Sequence, residues 1–162
     1  MLDKVHAAHR LGPARIGGKV GRADWNRDRL AGIGAEGLVQ WAGVLTREQI
    51  PPVDRSAHVL FSADLNAACP NSVIEAMACG LPVISYATGS LPELIEGDAG
   101  LVVPWGSNFW KLEPPDIPVL AEAALRVVEE QDRFRPAARA RAEAEFGLER
   151  MVDRYMQVLI ED

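Results

Sequence analysis

Short apolar runs alternate with longer amphipathic segments along this 162-residue chain. The runs predict five strands, at residues 14–20, 39–43, 58–62, 82–86 and 99–103. Apolar residues at helical spacing predict helices between and after them, including three at 119–131, 133–145 and 148–160. Strands that alternate with helices are typical of βαβ units. We therefore predict an α/β fold with a Rossmann-like, mostly parallel sheet flanked by helices.

Two predicted helices begin with the same spacing of polar residues. Ser72 and Glu75 stand three residues apart, as in a capping box, and predict a helix that ends at about Cys79. Ser90 and Glu93 repeat that spacing before the second helix. Each helix follows a strand, so each N-terminus presents unpaired backbone N–H groups and the positive end of a dipole. Both helix starts therefore suit a phosphate group.

A third polar pair with this spacing lies earlier in the chain. Thr46 and Gln49 predict the start of a short helix. Pro51 and Pro52 follow directly, and we expect them to cut that helix because proline lacks the N–H that a helix interior requires.

Length and charge limit the classes of protein and partner. A chain of 162 residues suits one domain, so we predict a single domain over residues 1–162. The net charge of −6 and the pI near 5.1 argue against nucleic acid or an anionic membrane as the main partner. No apolar run reaches the ~20 residues of a membrane-spanning helix, so any membrane contact would be peripheral.

The two cysteines indicate a reducing compartment. Cys69 and Cys79 lie at opposite ends of one predicted helix, which separates them by roughly 15 Å and prevents a disulfide. We therefore expect a cytoplasmic protein with free thiols. The three histidines are scattered along the sequence, and we predict no metal site.

One contiguous pattern resembles a known family. Residues 69–84 read CPNSVIEAMACGLPVI, and residues 88–93 read Thr-Gly-Ser-x-x-Glu. This pattern resembles the donor-binding signature of family 4 glycosyltransferases with the GT-B fold. The resemblance covers the chain from Met1 to its end and implies the C-terminal, donor-binding half of that architecture, with C-terminal helices at about 117–162. It also implies that the first strand of that half, with its basic residue, lies upstream of Met1.

The resemblance implies donor-binding residues at eight positions: Asn71, Ser72, Val73, Glu75, Gly89, Ser90, Val44 and Leu45. Glu75 would accept hydrogen bonds from ribose hydroxyls, and the amides of residues 71–73 would hold the diphosphate or sugar. Gly89 and Ser90 would form a second close turn, and Val44 and Leu45 would contact the base. From the residues alone, simple helix capping explains residues 71–73 equally well. A plain turn likewise explains Gly89 and Ser90 equally well.

One departure from the family pattern concerns the sugar. The family pairs two acidic residues separated by seven others, and counting back from Glu75 leads to Ala67, whose side chain forms no hydrogen bond. The sequence assigns no catalytic residue within this chain.

The resemblance implies retaining, metal-independent transfer of a sugar from a UDP-, GDP- or ADP-linked donor to an acceptor, without a cofactor. We expect the isolated chain to be inactive without an acceptor domain, carried on an N-terminal segment or a separate chain. Two alternatives stay open: an inactive nucleotide-sugar-binding remnant, and an interaction protein that needs a partner chain.

Overall fold

The computed structural model describes residues 14–17, 31–32, 34 and 36–160. The chain divides into two compact units, with the boundary between Ile50 and Pro51. The amphipathic spacing of residues 2–11 predicts a helix, and that segment lies outside the described residues. The part of the first predicted strand beyond Gly17 lies outside them as well. The prediction of one domain over residues 1–162 stays a prediction.

The first unit contains two paired strands. Strand β1 (Ala14–Gly17) runs parallel to strand β2 (Val39–Gly43), with Ala14 opposite Val39 and a register shift between Ile16 and Gly17. A short 3-10 turn, Glu36–Leu38, leads into β2. The observed bounds of β2 match the predicted ones residue for residue.

The second unit is built on a three-stranded parallel sheet. Strands β3 (Leu60–Ser62), β4 (Val83–Tyr86) and β5 (Gly100–Val103) lie in the order β3-β4-β5. All four residues of β4 are buried, as expected for a central strand covered on both faces. The five predicted strands are thus present in two parallel sheets, and the predicted α/β fold class is confirmed.

Six helices are described, and most of them flank the second sheet. They are α1 (Ile50–Ser56), α2 (Asn71–Ala78), α3 (Leu91–Leu94), α4 (Ile117–Glu129), α5 (Gln131–Glu145) and α6 (Leu148–Ile160). Two 3-10 turns, Gly97–Ala99 and Phe109–Lys111, lie between α3 and α4. The bounds of α6 match the prediction from the sequence.

Helices cover both faces of the β3-β4-β5 sheet. On one face, Val83 packs with buried residues of α2, α3 and α5. On the other face, Ile84 and Tyr86 pack against α4 through Val127 and Ala123. Side chains alternate between the two faces of a strand, so β4 connects the two layers of the core.

Arginines of α5 bind the ends of neighbouring helices. Arg135 donates to the carbonyl oxygens of Ala57 (2.8 Å) and Arg55 (3.3 Å), close to the end of α1. Arg139 donates to the carbonyl of Ala78, the last residue of α2. Cations are favourable at helix C-termini because the helix dipole is negative there. These contacts hold α1 and α2 in place from their C-terminal ends.

The predicted capping box of Ser72 and Glu75 is wrong. Helix α2 begins at Asn71 with Pro70 as its N-cap, and no side chain caps it. Ser72 therefore lies inside the first turn, where its own backbone is already helical. Gly80 follows the helix with a φ of +69°, a conformation that suits glycine at a helix C-terminus.

The capping box of Ser90 and Glu93 is also wrong, for a different reason. Ser90 is the N-cap of α3, but its side chain forms no capping hydrogen bond. Pro92 occupies the second helical position and has no N–H to donate. The N–H of Glu93 donates to the backbone carbonyl of Ser90 (3.1 Å). The side-chain oxygen is therefore left without the donors that a capping box requires.

The prediction for the third pair is partly confirmed. The N–H of Thr46 donates to the Gln49 side chain at 2.9 Å, which is one half of a capping box. Pro51 and Pro52 do not cut the helix, because α1 runs from Ile50 to Ser56 with both prolines in its first turn. A missing N–H costs nothing there, since first-turn amides have no intrahelical acceptor.

Candidate functional site

The candidate site lies at the carboxyl edge of the β3-β4-β5 sheet. Two loops meet there, residues 63–70 after β3 and residues 87–90 after β4. In open parallel sheets, ligands bind beyond the carboxyl ends of the strands. All predicted donor-binding residues except Val44 and Leu45 belong to these loops or to the helix that follows the first one.

Hydrogen bonds hold the two loops together. The N–H of Ser90 donates to the carbonyl of Ala67 (2.9 Å), and the Thr88 hydroxyl donates to the carbonyl of Asp64 (3.1 Å). Gly89 has a φ of +54°, and a Cβ there would lie 2.6 Å from the Ala67 carbonyl oxygen. The close approach that Gly89 permits is therefore to the chain's own loop.

The N-terminus of α2 presents backbone donors to solvent. The N–H of Val73 donates to the Pro70 carbonyl at 3.0 Å. The amides of Asn71 and Ser72 have no acceptor among the described residues, and proline at the N-cap contributes no N–H. The first turn carries no acidic side chain. This end of α2 therefore combines open amides with an uncompensated positive dipole, which suits an anion.

Glu75 lies one turn further along the same helix and is exposed. Burial, and then the negative charge of Glu75, raise the pKa of Asp54 on α1 above its ordinary value of 3.8. An ionised carboxylate accepts hydrogen bonds strongly, so Glu75 suits a diol. No sequence pattern pointed to Asp54, because it lies 21 residues before Glu75 and outside any motif.

Cys79 stands at the opposite end of α2 from the open amides. Burial raises the pKa of its thiol, and the charge of Asp54 adds to that effect. A raised pKa disfavours the thiolate, so the thiol is not an activated nucleophile. Both cysteines are free.

Three hydroxyl side chains are buried near the strand ends, and the sequence analysis missed the role of all of them. Ser62 of β3 lies opposite Ser85 of β4, and the Ser62 hydroxyl donates to the Asp64 carboxylate (3.3 Å). Thr88 makes the loop contact described above. The Ser85 hydroxyl is fully buried and has no partner among the described residues. Polar residues within otherwise apolar strands were the available signal, because buried polar atoms normally have partners.

The predicted base-contacting residues belong to the first unit. Val44 and Leu45 follow β2 directly, and Val44 is 68% exposed. Their role stays a prediction. Among the described residues, no group of three or more His, Cys, Asp or Glu side chains is arranged to hold a metal ion.

Comparison with known proteins assigns the family. Residues 6–130 match the family model described as glycosyl transferases group 1. The chain belongs to the group 1 glycosyltransferases. The resemblance inferred from residues 69–93 is thereby confirmed.

Individual relatives support the same assignment. The chain is 29% identical over 110 residues to the O-antigen chain mannosyltransferase B of Escherichia coli. The matched region covers 68% of this chain and 26% of that protein. Sucrose-phosphate synthase from Thermosynechococcus elongatus superposes with a TM-score of 0.71 and 26% identity, over 99% of this chain and 43% of that one. The pneumococcal O-GlcNAc transferase GtfA, solved with UDP and GlcNAc, superposes with a TM-score of 0.72 and 20% identity, over 99% of this chain and 32% of that one.

The glycosyltransferase chain is thus much shorter than these relatives. It spans about a quarter of the length of the mannosyltransferase and less than half of each of the two solved structures. Within its described residues, no helix combines the length and the apolar character needed to cross a bilayer.

Proposed function

We propose that this chain binds the nucleotide-diphosphate sugar of a glycosyltransferase reaction. The donor would be linked to UDP, GDP or ADP. In the proposed reaction the sugar is transferred with retention of configuration and without an essential metal or cofactor. The acceptor-binding part would come from an N-terminal segment or from a separate chain. The cytoplasmic location expected from the free cysteines belongs to the same proposal.

The arrangement of helix α2 is the observation that supports this proposal. Its first turn offers the amides of Asn71 and Ser72 without competing acceptors, and Glu75 follows on the same helix. Four residues of helix rise about 6 Å. The helix therefore offers donors for a diphosphate and a carboxylate for ribose hydroxyls at a short, rigid separation.

The loop contacts support this assignment because they fix the start of α2. Ala67 and Asp64, in the loop before α2, accept hydrogen bonds from Ser90 and Thr88. A donor group that is held rigidly before the ligand arrives costs less entropy on binding. Among the solved relatives, the pneumococcal enzyme was crystallised with UDP and GlcNAc, which makes UDP the first nucleotide to test.

Leaving-group stabilisation is the chemistry that this chain would contribute. Charge grows on the diphosphate as the glycosidic bond breaks, and oriented amides at a helix N-terminus stabilise such charge. Turnover also requires a bound acceptor and exclusion of water. We therefore expect the 162-residue chain to bind donor and to show little or no transfer alone.

Isothermal titration calorimetry tests the proposal. The purified chain is titrated with UDP, GDP and ADP, each with and without an attached hexose. We expect one nucleotide to bind with a 1:1 stoichiometry and the other two to bind at least about tenfold more weakly. Glu129→Ala, an exposed residue of α4, is the control and should bind like the wild type. Absence of binding by all six ligands would overturn the proposal.

A second candidate function is an inactive remnant that holds a nucleotide or nucleotide sugar without catalysis. Ala67 favours it, because the family's first acidic residue is replaced there by a side chain without hydrogen-bonding atoms. A remnant that has lost its sugar contacts would bind the nucleotide and its sugar form equally well. Ala67→Glu separates the two candidates, since it should increase the affinity for the sugar form over the bare nucleotide by about tenfold if the sugar pocket is intact. An unchanged ratio would favour the remnant.

A further inference from the structure

Arg141 of helix α5 binds the C-terminal end of α3. Its Nη2 atom donates to the backbone carbonyl oxygen of Glu93 at 2.8 Å and pairs with the Glu96 carboxylate at 3.0 Å. Glu93 belongs to the last turn of α3. The last carbonyls of a helix have no donor within the helix, and a cation is favourable beside them. Arg141 therefore supplies both a donor and a positive charge to this end of α3.

The guanidinium of Arg141 is itself held in place. The side chain is only 23% exposed, and its guanidinium carbon lies 5.7 Å from the centroid of the Phe146 ring. The Nε atom is buried and has no hydrogen-bond partner among the described residues. A buried donor without a partner is unfavourable, so the contacts of Arg141 with Glu93, Glu96 and Phe146 offset a cost. A side chain with so little freedom can fix the position of the helix that it binds.

The N-terminal end of α3 contacts the loop that leads into α2. The N–H of Ser90, the N-cap of α3, donates to the carbonyl of Ala67 at 2.9 Å. Ala67 lies three residues before Pro70, the N-cap of α2. Because α3 has only four residues, its two ends are about 6 Å apart. The contact with Arg141 and the contact with Ala67 therefore lie at opposite ends of one short, rigid element.

Apolar contacts alone do not fix the orientation of α3. Leu91 and Leu94 are buried in one cluster with residues of α2 and α5. Hydrophobic contact is non-directional, so it holds α3 in the core without specifying how the helix is turned about its axis. A hydrogen bond is directional. The bond from Arg141 to the Glu93 carbonyl therefore adds the orientation that the leucines do not determine.

We propose that Arg141 is a positioning residue of the donor site. It holds α3 by the Glu93 carbonyl, and α3 in turn holds the loop at Ala67 that precedes the open amides of α2. This inference rests on the proposed function, because those amides are the groups that would bind the diphosphate. Glu93 contributes its backbone carbonyl to the contact, so Arg141 is the side chain to change.

Isothermal titration calorimetry of Arg141→Met tests the positioning role. Methionine removes the charged donors and keeps an apolar stem beside Phe146. Affinity for the nucleoside diphosphate that binds best should fall by about 5- to 10-fold, because the amides of α2 are no longer fixed before binding. Affinity for the nucleoside without phosphates should stay unchanged. A role in stability alone would leave both affinities unchanged in the folded variant, and that result would overturn the proposal.

Two control variants separate the carbonyl contact from the ion pairs of α5. Glu96→Ala removes the exposed ion-pair partner of Arg141 and keeps the Glu93 contact, so affinity should change by less than about twofold. Arg133→Ala is the matched arginine on the same helix, where Arg133 pairs with Asp98 at 2.7 Å and Glu130 at 2.8 Å. Its affinity should also stay unchanged. A loss in either control as large as that in Arg141→Met would overturn the assignment to the carbonyl contact.

Amide hydrogen exchange of the ligand-free chain tests the link without a nucleotide. In Arg141→Met the Ser90 N–H should exchange at least about tenfold faster relative to the Leu60 N–H, which donates to the Pro82 carbonyl at 2.9 Å. Equal acceleration at both amides would indicate a global loss of stability and would overturn the proposal.

The two measurements distinguish failure of this inference from failure of the proposed function. If no nucleotide binds the wild-type chain, the proposed function fails, and exchange at Ser90 alone decides whether Arg141 holds the loop. Circular dichroism checks that Arg141→Met folds. If it does not, Arg141→Lys takes its place, since lysine keeps the charge and loses the planar group that binds Glu93 and Glu96 together. The same changes in affinity and exchange are then expected, with smaller size, and their absence would overturn the proposal.

Discussion

Helices α2 and α3 start at the same edge of the sheet, yet they present their N-termini in opposite ways. Helix α2 has eight residues, and the amides of Asn71 and Ser72 have no acceptor in the described chain. Helix α3 has four residues, and its amides are occupied: Ser90 donates to Ala67 and Leu91 donates to Thr88 (3.3 Å). The same Ser-x-x-Glu spacing lies at the start of both helices. The two helices differ in how many of their first backbone N–H groups already donate to acceptors within the chain.

This difference gives the two helix starts different tasks. The start of α3 holds the loop at Ala67, and that loop leads into α2. The start of α2 is left open to an external anion. In the proposed function, α3 therefore contributes by positioning and α2 by binding, and each can be changed separately.

The largest effect is expected from removing the close approach at Gly89. Gly89→Ala places a Cβ 2.6 Å from the Ala67 carbonyl oxygen at a φ of +54°. We expect the free energy of unfolding to fall by about 2–4 kcal/mol, because both the backbone conformation and the steric clash are unfavourable. Equilibrium unfolding in urea measures this change.

Gly97→Ala is the matched control for that substitution. Gly97 has a φ of +66°, and no atom lies within 4 Å of the position of its Cβ. The free energy of unfolding of Gly97→Ala should fall by about 1 kcal/mol, because only the backbone conformation is unfavourable there. Equal losses at both positions would show that contact between the loops is not what Gly89 provides.

The second-largest effect is expected on nucleotide affinity, from changes to the two glutamates of the Ser-x-x-Glu pairs. Glu75→Ala should weaken nucleotide binding by about 10- to 100-fold, because it removes charged hydrogen bonds to the ribose. Glu93→Ala is the equivalent change on α3 and should alter affinity by less than about twofold. Isothermal titration calorimetry with the nucleotide that binds best measures the affinities of both variants. A loss at Glu93 as large as that at Glu75 would contradict the assignment of different tasks to the two helices.

A third change removes one open amide without removing the helix. Asn71→Pro deletes the N–H at the first helical position, where proline is well accommodated. Affinity for the nucleoside diphosphate should fall by about 5- to 10-fold, while the affinity for the nucleoside without phosphates stays unchanged. Asn71→Ala keeps the N–H and should bind like the wild type. Loss of affinity in the alanine variant would assign the contact to the side chain.

The smallest effect is a pH dependence of stability at Asp54. Its folded-state pKa is raised, chiefly by burial and then by Glu75, so the folded state favours the protonated carboxyl. The favourable contribution is complete below the ordinary pKa of 3.8 and is lost as the pH rises through the folded-state pKa. Asp54→Asn should therefore stabilise the chain slightly at pH 7 and have no effect near pH 3. Urea unfolding at both pH values tests this, and an equal gain at both would contradict it.

Periodic patterns predicted the regular elements well. The bounds of β2 and α6 match residue for residue. For α6 the reason is its length, because thirteen residues of amphipathic spacing fit a helical period and no other. The parallel sheet, the family and the position of Glu75 on a helix were also available from the chain. The helix caps were not, because a cap depends on which donors the neighbouring loops have already used.

The sequence by itself determined the fold class, the family and the segment that carries the candidate site. Apolar periodicity and a contiguous motif are local properties, so they can be read without a structure. Only the tertiary structure decided that the start of α2 is open while the start of α3 is occupied. It also joined the loop after β4 to the loop after β3 through the hydrogen bond from Ser90 to Ala67. These features depend on contacts between residues far apart in the chain, and no local pattern encodes which donors and surfaces remain free.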